Sequence, residues 1–342
     1  MIFKNPHFSV ISGAQVHAAI KGNEEKVIAI VEKAYRLHGD GQTVNPDSYF
    51  LRFPDRPSSR IIALPASAGG DVDVHGIKWI SSFPENVGRG VPRASAVLIL
   101  NDTETGYPFA CLESSIISAA RTAASAALAA RELSERRGVV PRRVGFFGVG
   151  LIARYIHAFL VGSGLECDEI GVHDLSREHA EGFRGYLGGA GSGEISIHEQ
   201  PEPLIRNSDL VVFATVAGEP HVTDPTWFEH NPLVLHISLR DLSPEVILSS
   251  YNVVDDIEHC LKANTSPHLA EQKAGNRGFV AGTLHDVLAG DIQPPASQPV
   301  IFSPFGLGVL DLAVGRYVYD QVAAEDQLII IPDFFHDLKR YG

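Results

Sequence analysis

Over positions 24–37 the apolar residues Val27, Ile30, Val31, Ala34 and Leu37 recur at three-and-four spacing with charged residues between them, which predicts a helix that lays one face on a sheet. The period then changes. Short apolar runs at 49–53, 60–64, 76–80 and 94–100 are divided by turns rich in Pro, Gly, Asp and Ser and read as strands. No helical stretch separates them, so an antiparallel or mixed sheet is expected. The turn 101–106 sits between the apolar runs 97–100 and 107–111 and predicts a hairpin. Positions 113–137 are Ala-rich and free of Pro and Gly, which predicts one long helix bridging into the second half of the chain.

From there helix-like and strand-like pieces alternate. Strands are expected at 144–147, 170–173, 194–197, 209–215, 233–237 and 252–255, with a helix over 177–186, and such alternation belongs to a doubly wound parallel sheet. The Gly-rich stretch 185–193 is expected to be a surface loop, and 303–324 to return to an Ala/Val/Leu helix.

The strand over 144–147 runs directly into Gly148-Val149-Gly150-Leu151-Ile152-Ala153, a G-x-G-x-x-A sequence that opens a helical pattern. The first Gly permits a tight turn, the second lets backbone approach a pyrophosphate, and the small Ala153 allows close packing at a helix end whose free N–H groups attract anions. The next apolar run ends in Asp174, where the dinucleotide fingerprint places an acid on the adenosine ribose. A carboxylate there accepts from a 2'-hydroxyl and repels a 2'-phosphate, so NAD is expected over NADP. The alternative is an ordinary strand–helix–strand turn with no ligand.

Composition narrows the partners. The formal net charge is −13, which argues against nucleic acid and anionic membranes. The N-terminus lacks the apolar core of a signal peptide, and no apolar run reaches the roughly 18 residues of a membrane span, so a cytoplasmic protein is expected. Cys111, Cys167 and Cys260 read as buried reduced thiols, and the histidines show no metal-ligand spacing.

Within the first region the cations Arg52, Arg60, Lys78, Arg93 and Arg121 stand out. Lys78 lies in an apolar strand and Arg121 in an almost uncharged helix. Buried cations need partners. Either each finds an internal carboxylate, or several converge on an anionic ligand, with Arg suited to bidentate carboxylate contact and Lys to a point charge. In the second region Asp241 follows the strand 233–237 at the carboxyl edge of the sheet, where it is either an acid/base beside a nicotinamide or a helix cap ahead of Pro244-Glu245. Thr215-Val216-Ala217-Gly218 ends another strand at that edge and is expected to line the cofactor.

Taken together, H-G-I-K-W-I, L-N-D-T-E-T-G-Y-P, S-A-A-R-T-A-A-S-A-A-L-A-A-R, G-V-G-L-I-A and F-G-L-G-V-L-D resemble the ornithine cyclodeaminase and mu-crystallin family along nearly the whole chain. The resemblance implies an α/β architecture with a Rossmann doubly wound parallel sheet inserted in a split α+β substrate-binding and dimerisation domain. The expected boundaries are 1–124 plus 312–342 for the split domain and 125–311 for the nucleotide domain. It further implies a homodimer, a carboxylate-binding role for Lys78 and Arg121 with help from Arg52, and catalytic roles for Asp241 and Lys78. Cofactor contacts are expected at Thr122, Gly148, Gly150, Leu151, Ile152, Asp174, Thr215, Val216, Ser238 and Gly306.

R-I-I-A-L-P-A-S-A-G-G and P-R-A-S-A-V-L-I-L-N-D look like the branch that makes 2,3-diaminopropionate for siderophores and peptide antibiotics. That branch oxidises N-(1-amino-1-carboxy-2-ethyl)-glutamate with NAD and releases 2-oxoglutarate. G-V-G-L-I-A replaces the G-N-G-A-Q-S of true cyclodeaminases, and Ile62-Ala63-Leu64 stands where they carry a Glu. The proposed substrate has three carboxylates, for which Arg60 and Arg93 are the available extra cations. Other readings are a cyclodeaminase, alanine dehydrogenase or ketimine reductase, and a non-catalytic cofactor-binding protein like mu-crystallin.

Overall fold

The computed structural model describes residues 7–191 and 193–336, and the chain divides into two compact units, 1–121 with 307–342, and 122–306. These boundaries lie a few residues from those read in the sequence, and the first falls inside the helix Ser115–Arg137.

The first unit contains strands β1 (Ser9–Ile11), β2 (Thr43–Val44), β3 (Tyr49–Phe53), β4 (Arg56–Ala68), β5 (Val74–Ser82), β6 (Ala94–Asn101) and β7 (Pro108–Glu113). A last short strand of this unit, Ile329–Ile330, completes the sheet beside β1. The order is Ile329–Ile330, β1, β7, β6, β5, β4, β2, with β3 also on β4; β1 and β7 run parallel and all other pairs antiparallel. β6 and β7 form the expected hairpin.

One face of this sheet is covered by the helix Gly308–Ala324, which packs on β4, β5 and β6. That helix is apolar nearly all round and correspondingly buried. Its approach is close: a Cβ at Gly315 would stand 2.2 Å from Leu98 Cδ2, so any larger residue there would force buried Leu98 to move. The segment before it corrects the sequence reading. The helix expected over 303–324 begins only at Gly308, and just before it Val300–Ser303 is a buried strand that the sequence reading did not predict, its apolar run paired between two neighbouring strands of the second unit.

The second unit contains β8 (Arg143–Phe147), β9 (Glu169–His173), β10 (Glu194–Ile197), β11 (Leu210–Phe213), β12 (Leu233–His236), β13 (Tyr251–Val254), β14 (Val280–Thr283) and β15 (Val300–Ser303). All pairs are parallel, in the order β10-β9-β8-β11-β12-β15-β13-β14. The chain winds outward from β8 through β9 and β10, then returns to β11 on the other side and winds the opposite way. This is the doubly wound α/β fold, and its switch point lies between β8 and β11, where such sheets bind ligands.

Two further readings change. The helix Arg177–Gly189 runs into the Gly-rich stretch 185–193 expected to be a loop and ends at Gly189, since buried Phe183 and Leu187, one turn apart, anchor its last turns. Only Cys260 of the three free cysteines is buried, Cys111 and Cys167 being half-buried. Among the described residues no helix is long and apolar enough to cross a membrane.

Candidate active site

In the second unit β8 delivers Gly148 with φ +76°, its N–H donated to the His173 carbonyl at 3.0 Å. A Cβ there would lie 2.7 Å from the Ala214 carbonyl oxygen, so the turn requires glycine. Gly150 is the N-cap of the helix Leu151–Gly162, with no side-chain cap, and a Cβ built on it meets nothing within 4 Å. The first turn thus presents Leu151 and Ile152 with uncapped backbone donors beside open space, and buried Ala153 packs beneath. Asp174 stands against the same turn: its Oδ2 accepts from Val149 N–H at 3.2 Å and its Oδ1 from Ser176 N–H at 2.8 Å. This donor set and acid fit a dinucleotide pyrophosphate and ribose. Val216 is exposed beyond β11, Thr122 lies in the helix Ser115–Arg137, and Gly306 has φ +97° with its N–H donated to buried Asp255 at 2.6 Å.

Asp241 follows β12 and is fully buried. Its Oδ1 accepts from the Thr215 hydroxyl and lies 3.1 Å from His221 Nε2; its Oδ2 accepts from Ser238 Oγ at 2.5 Å. Burial works to raise this carboxyl's pKa, but the hydrogen bonds it accepts, from His221 first and also from Ser238, outweigh burial and hold it well below the usual carboxylate range. His236 lies behind the loop. Asp241 N–H points at its Nε2 from 3.2 Å, so that atom accepts, and the proton is assigned to Nδ1, 3.2 Å from Ser303 Oγ. In that tautomer the 3.4 Å approach of Nε2 to Oδ2 is a contact and not a hydrogen bond, and Thr215, Ser238 and His221 are the donors that keep Asp241 ionised. The helix Pro244–Leu248 is capped by Ser243, whose Oγ accepts from Val246 N–H. Asp241 is therefore not the cap.

In the first unit the two singled-out cations meet on one carboxylate that the sequence reading missed. Lys78 Nζ is 2.6 Å from Asp311 Oδ2, and Arg121 Nε is 3.2 Å from Asp311 Oδ1. Lys78 also donates to Ser118 Oγ at 3.2 Å. Burial lowers the Lys78 pKa to about 8, against the opposing pull of Asp311. Two cations on one carboxylate leave an excess positive charge. The strand register puts more cations on Lys78's side of the sheet: Leu64 faces Lys78, Arg60 faces Ser82, and Arg52 faces Arg60. Arg60 and Arg52 thus share Lys78's face four residues along, about 13 Å away. Arg93 lies on the turn into β6, half-buried, and burial lowers its pKa.

Sequence reasoning also passed over His221 and His236. Asp311 carried a usable signal, as the single charge in the apolar stretch 305–315, which is the argument that picked out Lys78. His221 and His236 carried none, because nothing in the spacing joins them to Asp241.

The sequence profile of the ornithine cyclodeaminase/mu-crystallin family matches residues 12–326. The chain belongs to this family. It is 28% identical over 316 residues to the N-((2S)-2-amino-2-carboxyethyl)-L-glutamate dehydrogenase of Staphylococcus aureus, covering 89% of this chain and 93% of that protein. It is also 28% identical over 326 residues to the alanine dehydrogenase of Archaeoglobus fulgidus, covering 93% and 96%. Among solved structures, an archaeal alanine dehydrogenase dimer with bound NAD superposes with a TM-score of 0.84 at 25% identity, covering 96% of this chain and 100% of that one.

Proposed function

We propose that this family member is an NAD-dependent dehydrogenase that oxidises the glutamate carbon–nitrogen bond of N-(1-amino-1-carboxy-2-ethyl)-glutamate. Water then cleaves the imine, giving 2-oxoglutarate and 2,3-diaminopropionate, a building block for siderophores or peptide antibiotics. The observation that carries this reading is the cation-rich face of the first unit's sheet. The Lys78–Arg121–Asp311 cluster has one positive charge to spare, and Arg60, Arg52 and Arg93 supply more along the same region of the sheet. A substrate with three carboxylates uses several such charges. Alanine has one carboxylate, and on an alanine dehydrogenase the distal arginines would be idle.

Bound nicotinamide supplies the hydride acceptor. Gly148, Gly150 and the uncapped turn at Leu151 and Ile152 hold the pyrophosphate, and Asp174 selects the unphosphorylated ribose. Arg121 and Lys78 anchor an α-carboxylate; near neutral pH Lys78 keeps its proton and acts as a charge. The Asp241 cluster takes the proton that the amine gives up on oxidation. Thr215 and Ser238 hold Asp241 in place for that task.

We further propose a homodimer joined through the outer face of the first unit's sheet. Tyr49, Ala63, Trp79 and Val97 form one row across β3, β4, β5 and β6, with Tyr49, Trp79 and Val97 exposed. The three free cysteines suit a reducing cytoplasm.

The test is NADH formation by the purified protein with NAD and a panel of N-substituted glutamates, alanine and ornithine. Turnover of the glutamate derivative is expected, and Arg121→Leu should lower kcat/KM by about 2–5 kcal/mol of transition-state binding. Turnover of alanine or ornithine alone would reject the substrate.

A further inference from the structure

We infer that the proton released from the substrate amine is taken by His221, and that buried Asp241 is the positioning residue that prepares it. The inference rests on the proposed assignment of proton transfer to the Asp241 cluster and asks which atom of that cluster meets the substrate. Asp241 is badly placed to do so. It has no solvent-accessible surface, and both oxygens are already committed: Oδ1 to Thr215 and His221, Oδ2 to Ser238. A direct transfer would first have to uncover the carboxylate, because the acceptor site left on Oδ2 is turned inward, toward His236 Nε2 at 3.4 Å.

His221 is the exposed member of the cluster, its side chain being 41% exposed, whereas Thr215 and Ser238 are half-buried and donate their hydroxyl hydrogens to Asp241. It is fixed to Asp241 at two points. Its backbone N–H is donated to the Asp241 carbonyl at 3.0 Å, and its ring Nε2 lies 3.1 Å from Asp241 Oδ1. The edge of the Phe213 ring, 6.4 Å away between centroids, limits rotation on one side. An ionised carboxylate can only accept, so Nε2 carries the hydrogen of that bond and the neutral ring has its lone pair on Nδ1. Among the described residues Nδ1 has no hydrogen-bond partner. The arrangement is a carboxylate orienting an imidazole and stabilising the imidazolium it becomes, the division of labour found in hydrolytic triads. Asp241 is the titratable group in contact with it among the described residues, and His236 lies against Asp241 on the backbone side of the loop.

In the oxidation the Cα–H bond breaks and its electron pair leaves as hydride to NAD. The amine N–H bond breaks, its pair forms the C=N bond, and the proton goes to His221 Nδ1. The exposed ring then returns that proton to solvent before water adds to the imine.

Two measurements test this. Nitrogen-15 NMR of histidine-labelled protein, with His221→Gln used to assign the signal, should show the Nε2–H tautomer near neutral pH, and Asp241→Ala should mix the tautomers. Single-turnover NADH formation should fall by about 10²-fold or more in His221→Ala, with KM and NAD affinity within a few-fold of native, and added imidazole should restore part of the rate. A native rate in His221→Ala overturns the inference. So does an Nδ1–H tautomer, a loss confined to KM or NAD affinity, or a loss imidazole does not rescue, since each marks a merely structural ring. The substrate reading fails separately: if the native protein oxidises alanine and not the glutamate derivative, the His221 measurements are made on alanine and judge this inference alone. Absence of any NAD-linked amine oxidation overturns both.

Discussion

Two buried carboxylates, one in each unit, are satisfied by different kinds of partner. Asp311 lies against two full cations, Lys78 and Arg121, whereas Asp241 is held by the hydroxyls of Thr215 and Ser238 and by an imidazole. Both have no exposed surface. At Asp311 the negative charge is more than cancelled, and the cluster presents surplus positive charge suited to attracting an anion. At Asp241 neutral donors satisfy the oxygens without cancelling the charge, which remains available to stabilise a cation forming beside it. Counter-ions make a binding site; neutral donors make a group that can support proton transfer.

The largest expected break in this comparison comes from removing Asp311. Asp311→Ala leaves Lys78 and Arg121 without their shared partner, one of them wholly buried, and should cost about 3–5 kcal/mol of stability in urea unfolding. A loss below about 1 kcal/mol would mean that the cations are neutralised some other way. Lys78 itself sharpens the point through pH. Its folded pKa is lowered from 10.5 to about 8, so between those values the unfolded chain binds the extra proton and stability rises with pH. The native protein should gain on the order of 3 kcal/mol relative to Lys78→Met over that window, read from unfolding curves at several pH values.

Asp241 should respond more mildly. Asp241→Asn turns one accepting oxygen into a donor that faces hydroxyl or imidazole donors, an effect of about 1–3 kcal/mol. Because the folded pKa is depressed, its stabilisation is present above the unfolded value of about 3.9 and is lost as pH falls below it. The native acid-unfolding curve should carry that loss and the Asn variant should not. Ser243→Ala should give the smallest effect, about 1 kcal/mol by loss of the helix cap, with the Asp241 cluster unchanged. A larger effect on turnover than on stability would show that the cap also positions the loop.

The local pattern determined much of this protein. Helical spacing over 24–37, the strands from 49 to 111, and the strand, glycine turn, helix and acid from Val144 to Asp174 are fixed by short-range periodicity and by backbone demands such as the positive φ of Gly148. Lys78, Arg121 and Asp241 were also legible as polar residues where their neighbours are apolar. Their partners were not. Asp311 meets Lys78 from 233 residues away because the returning helix Gly308–Ala324 is pressed onto β5, and His221 meets Asp241 because a parallel bridge joins Val222 to Leu242. The strands β14 and β15 also escaped the pattern, since four-residue segments gain their stability from neighbours in the sheet and not from their own sequence. Sequence could mark which groups needed a partner. Only the tertiary packing chose it, because an ion pair or hydrogen bond depends on distances that chain separation does not encode.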